Sequence, residues 1–178
     1  MNRYTATGML LLFSLICVPA SAEHRALETG AFAVEHSVVL PGTPEVIYDA
    51  ITGDISGWWD HSFSKEPLRF YIEPRPGGGF FEIFDEAGNG VLHATVIAAV
   101  RGKLLRFEGP LGFSGHAITM VTTWEFEPAG TDSTRLDVKV HCSGEIEEQW
   151  VAAVDGVWKH FIVDRFSEYV TAGRHLGR

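Results

Sequence analysis

The chain has 178 residues, a net charge of −9 and no cluster of lysines or arginines. An acidic chain of this kind is repelled by nucleic acid and by anionic lipid, so neither is expected as a partner. One domain of ordinary size fits the length.

The first segment is not read as part of the fold. Residues 1–8 carry one charge, Arg3, and "MLLLFSLICV" (Met9–Val18) is an apolar run that leads into Pro19 and Ala20-Ser21-Ala22. This is the three-part layout of a secretory leader, with cleavage expected after Ala22. The run is shorter than the roughly 20 residues needed to span a bilayer. Ile16 stands before Cys17, where lipid attachment wants a small residue, and no twin-arginine pair precedes the run. The expectation is a periplasmic or secreted protein with no membrane attachment after cleavage. Cys17 leaves with the leader, so Cys142 has no partner for an internal disulfide.

Residues 23–30 are polar and expected to be disordered; residues 31–173 read as a single domain and 174–178 as a tail. "AFAVEHSVVL" (Ala31–Leu40) is rich in small and β-branched residues and reads as a strand. "TPEVIYDAIT" follows, with Thr43 as N-cap, Pro44 at the first helical position and Glu45 in the first turn, which predicts a short helix stopped at Gly53. "ISGWWDHSF" (Ile55–Phe63) then places two tryptophans where the chain turns.

From Leu68 the apolar period becomes two. "LRFYIEP", "GFFEIFD", "GVLHATVIAAV", "KLLRFEG", "AITMVTTWEFEP" and "TRLDVKVHC" predict a run of antiparallel strands. In the last of them Leu136, Val138, Val140 and Cys142 alternate with Arg135, Asp137, Lys139 and His141, the pattern of a half-buried strand. A long helix over about 145–172 closes the chain. Trp150, Val154, Val157, Trp158, Phe161 and Ile162 form its apolar stripe, interrupted by Gly156 and Arg165. The predicted class is α+β, a curved antiparallel sheet of about six to seven strands wrapped around one long C-terminal helix.

The mature chain resembles the START/SRPBCC superfamily, within it the branch of the activator of heat-shock-protein-90 ATPase and of polyketide cyclases. The likeness rests on "TPEVIYDAIT", the pair Trp58-Trp59, "RPGGGFFEI" (Arg75–Ile83), Thr134–Leu136 and Trp158, and covers roughly Phe32–Val170. It implies a helix-grip fold with a chamber between sheet and last helix.

At least one of Trp58 and Trp59 is expected to line that chamber, the other to be core. Phe81, Phe107, Thr122, Trp124, Trp158 and Phe161 are expected further in. Gly156 would leave room for a ligand or allow close helix–sheet contact. Arg165 would either meet an anionic ligand head or, preferentially, pair with Glu168. "GGG" (Gly77–Gly79) lacks the Lys-Ser/Thr and helix of a phosphate cradle and reads as a bend. "GFSGH" misses the nucleophile elbow, because His116 replaces the last glycine.

The eight histidines are scattered in sequence; His160 and Asp164 share a helix face, but two ligands do not make a metal site. Strand parity puts His93 and His141 outside, which leaves Thr122 and Cys142 as the only inward hydrogen-bonding side chains. No metal, cofactor or catalytic residue is therefore expected. The sequence points to a monomeric binder of a small apolar or amphipathic molecule. The alternatives are an enzyme of the cyclase or dehydratase type and an interaction module related to chaperone ATPase activators.

Overall fold

The computed structural model describes residues 26–177, so the leader lies outside the described residues. Eight strands form one antiparallel sheet. In chain order they are β1 (Thr29–Pro41), β2 (Gly53–Asp54), β3 (Arg69–Ile72), β4 (Gly79–Ile83), β5 (Gly90–Val100), β6 (Leu104–Gly109), β7 (Ile118–Gly130) and β8 (Ser133–Glu145). The spatial order is β1-β8-β7-β6-β5-β4-β3-β2, so neighbours in sequence pair throughout except that the first strand joins the last. β1 takes in Thr29 and Gly30, which the sequence reading left to the polar segment. The strand beyond the expected six to seven is the two-residue β2, too short to show a period.

Helix α1 (Pro44–Ile51) starts at Thr43 as expected, with Pro44 in its first turn, although the Thr43 hydroxyl makes no capping bond. Its buried face, Ile47, Tyr48 and Ile51, packs toward β7 and β8. The last helix runs in three pieces: α2 (Glu148–Lys159), a π-helical segment (His160–Phe166) and α3 (Ser167–Thr171). All three pieces lie against β1. The core between sheet and helices is aromatic: Trp58, Phe80, Phe107, Trp124, Trp158 and Phe166 are all essentially fully buried. On β8, Leu136, Val138, Val140 and Cys142 are buried as the alternation requires. Burial pushes the Cys142 thiol up to about 11, so it is held as the neutral thiol.

Two details of β4 and β5 depart from the sequence reading and build the site. In β4 it is Phe80 and Glu82 that face inward, while Phe81 lies on the outer face beside Tyr71, ring centroids 5.4 Å apart. The Phe81 ring covers Gly79, so a side chain at the third glycine of "GGG" would have to displace that ring. In β5 the pairing steps from Phe80↔Ala94 to Phe81↔Leu92 and skips His93. His93 is the extra residue of a β-bulge, and both it and Ala94 are buried. Strand parity would have placed His93 outside; the bulge turns it in.

Candidate functional site

The segment between α1 and β3 opens with a tight turn. Asp54 accepts hydrogen bonds from the Ser56 N–H and hydroxyl, and the Trp58 and Trp59 N–H groups both donate to the Ile55 carbonyl. The turn sends the two indoles to different places. Trp58 is wholly buried against Phe166, centroids 5.0 Å apart, and is core. Trp59 stacks on Phe161 at 3.8 Å and meets Phe80 and Trp158 edge-on.

Trp59, Trp158 and Phe161 form one wall of an open cavity of about 530 Å³. Leu111, Phe113 and Met120 line the other side, Val154 and Val157 come from α2, and His61, Ser62, Phe63 and His93 complete it. Of the residues expected to line a chamber, Trp59, Trp158 and Phe161 do so. Phe107, Thr122 and Trp124 lie in the core beneath it, with Phe107 edge-on to Trp124 at 5.0 Å. The Thr122 hydroxyl and the Trp58 and Trp124 indole N–H groups are buried with no partner among the described residues. Phe81 faces the opposite side of the sheet. Gly156 is exposed, and a Cβ there would meet nothing within 4 Å. It makes neither ligand room nor a tight helix–sheet contact, because it falls on the solvent side of α2.

His93, in the cavity lining, belongs to an ionisable pair that the sequence reading missed, with Glu82 behind it. Glu82 is fully buried; its carboxylate accepts the N–H groups of Phe63 (3.0 Å) and Ser64 (2.8 Å) and lies 3.0 Å from His93 Nε2. Burial alone would raise the Glu82 carboxyl. The two backbone donors and the imidazole together outweigh it and hold the group below its ordinary value. His93 sits among the rings of Phe63, Phe70 and Phe80 at 5.3–5.6 Å. Burial holds its pKa below the usual imidazole value, against Glu82 and a hydrogen bond at the Leu111 backbone, which favour the charged ring. Leu111 has φ +48°, the one non-glycine residue in the left-handed region among those described. Such a conformation costs of order 1–3 kcal/mol and persists where surrounding structure imposes it. The Phe63–Ser64 segment and the Leu111 turn, two walls of the cavity, thus both hang on the Glu82–His93 pair.

At the rim a second polar cluster forms. Asp60 Oδ1 lies 2.8 Å from His61 Nδ1; His160 Nε2 is 2.9 and 3.0 Å from the two Asp60 oxygens. Arg165 Nε is 3.1 Å from Asp60 Oδ2. Burial would raise the Asp60 carboxyl, but the bonds from His61 and His160 and the charges of His160 and Arg165 prevail and hold it below its ordinary value. Arg165 therefore meets Asp60 rather than Glu168, which pairs with Arg174 at 3.2 Å. His160 likewise turns to Asp60. No regular α-helix sets residues five apart on one side; the i→i+5 bonding of the π segment does so for His160 and Arg165.

A curved antiparallel sheet gripping a C-terminal helix over an apolar cavity defines a START-like α+β domain. The chain belongs to the family described as activator of Hsp90 ATPase homolog 1-like proteins, whose model matches residues 41–171, within the START/SRPBCC superfamily. Protein SA2116 from Staphylococcus aureus, of unknown function, is 14% identical with a TM-score of 0.64, over 83% of this chain and 98% of its own. MLL2253 from Mesorhizobium loti is 17% identical with a TM-score of 0.57, over 79% and 98%. DynU16, from the dynemicin biosynthetic locus, is 19% identical with a TM-score of 0.51, over 79% of this chain and 48% of its own. These likenesses are likenesses of fold. No curated protein matches the chain.

Proposed function

We propose that this protein binds a small, largely apolar molecule with one polar end, outside the cytoplasm. The observation that supports the reading is the cavity itself. About 530 Å³ of space is walled by Trp59, Trp158, Phe161, Leu111 and Met120, with His93 as a buried polar group in its lining. Small-molecule sites typically enclose about 300–1,000 Å³ with apolar walls and a few placed polar groups. The export half of the reading rests on the leader-like residues 1–22, and N-terminal sequencing of the cell-produced protein tests it.

The binding half is tested by titrating a panel of small hydrophobic compounds against tryptophan fluorescence, alongside mass spectrometry of an organic extract of the native protein. Two of the five indoles, Trp59 and Trp158, line the cavity. A bound compound should shift or quench their emission, and Trp59→Ala should weaken its affinity by about tenfold or more, as loss of a buried aromatic anchor does. An empty extract together with a silent panel would remove the proposal.

A second reading is favoured by one observation, the Glu82–His93 pair. A buried imidazole beside a carboxylate is the equipment for moving a proton on a bound molecule, as a cyclase, dehydratase or isomerase must. Incubating the extracted molecule with fresh protein and following its mass spectrum and absorbance distinguishes conversion from storage.

A further inference from the structure

We propose that Asp60, His61 and His160 form a binding site for a divalent transition-metal ion, zinc being the ion their donors suit, at the rim of the apolar cavity. One carboxylate oxygen and two imidazole nitrogens come within 4.8 Å of one another. Zinc takes nitrogen and oxygen ligands at about 2.0–2.2 Å, and three protein ligands with a further open position are the pattern of a reactive rather than a structural zinc. Around one ion such donors stand about 3–3.5 Å apart. His61 Nδ1 and His160 Nε2 lie 2.8 and 2.9 Å from Asp60 Oδ1, so both rings must rotate to admit an ion between the three donors.

The convergence is not a by-product of chain neighbourhood. Asp60 and His61 come from the tryptophan turn and His160 from the last helix, where its π segment begins. π segments are rare and concentrate at functional sites. Arg165, on the same segment, forms an ion pair with Asp60 Oδ2 at 3.1 Å and offsets the carboxylate's charge when no ion is bound. His61 also lines the cavity. The ion's open positions therefore sit where a carbonyl or carboxylate oxygen of a bound molecule completes the shell.

The test uses tag-free protein lacking residues 1–22, stripped with chelator and titrated with zinc chloride by calorimetry at pH 7.5, with no organic compound present. One zinc per chain is expected. Asp60→Asn and His160→Gln should each weaken binding at least tenfold, while His141→Gln, on the exposed side of β8, should leave it unchanged. Circular dichroism checks that the variants fold. His61→Gln, on the loop outside regular structure, repeats the test if either of the others does not fold. X-ray absorption should show two imidazoles in the shell. Absence of zinc binding, or binding that survives all three ligand substitutions, overturns the site without touching the cavity reading. A silent ligand panel with one zinc still bound would do the reverse.

Discussion

At the scale of single residues, Glu82 and His93 carry the departure from what the sequence shows. Glu82 contributes stability above its unfolded pKa, and that contribution is lost as pH falls through its depressed folded pKa. His93 has a folded pKa below its unfolded one, so on acidification the unfolded chain takes up its proton first. Both effects have the same sign: stability falls as the solution is acidified, from about pH 6.5 downward for His93 and at lower pH for Glu82. The melting temperature of the wild type should therefore drop between pH 7 and pH 5. His93→Gln should flatten that slope, whatever it does to the melting temperature at pH 7. An unchanged slope would show that the imidazole titrates alike in both states. Sequence periodicity missed the pair for a definite reason. A strand's two faces differ by one residue, so choosing Phe81 as inward sends Glu82 outward. His93 owes its burial to a bulge, which leaves no mark in the alternation. The available signal was chemical: a lone glutamate inside the aromatic run "GFFEIF" has no reason to be there unless it is partnered.

At the scale of elements, the last helix was legible in its extent and in most of its stripe. Val154, Trp158, Phe161 and Ile162 are buried, as the 3.6-residue period requires, while Val157 of the same stripe is exposed. Its change of winding was not legible. A π segment shifts the phase of everything after it, so Arg165, read as projecting into the apolar stripe, instead reaches across to Asp60. Gly156 was legible as an anomaly but not as to its side. The structure puts it on the exposed face of α2 with empty space where a Cβ would stand. Its cost is then purely conformational, and Gly156→Ala should stabilise the protein by about 0.5–1 kcal/mol in denaturant titration while leaving ligand and zinc binding as they were. A destabilised Gly156→Ala variant would mean that α2 bends or is contacted at this point.

At the scale of the whole molecule, the class of fold was legible because each level of the sequence agreed: a capped short helix, six period-two strands and one amphipathic helix long enough to cover them. The cavity was legible only as a geometric need. Which indole lines it depends on the turn at Ile55, and that turn is set by hydrogen bonds rather than by hydropathy. One property of the sheet bears on how the molecule comes into being. β1 pairs with β8 over its full length, Thr29 opposite Glu145 through Pro41 opposite Ser133, and among the described residues it lies at the edge of the sheet with no other strand beside it. Pairings this distant along the chain have to close a long loop before they gain anything, which slows folding. A chain truncated after Gly130, which loses β8 and the last helix, should therefore fail to bury Trp58 and Trp124, read as red-shifted emission and a lost thermal transition; a cooperative fold in that fragment would show that β8 and the last helix are both dispensable. During synthesis the consequence is one of timing. The first strand off the ribosome waits for the last, and the emerging polypeptide holds a thirteen-residue segment without its partner until the sheet's final strand is made.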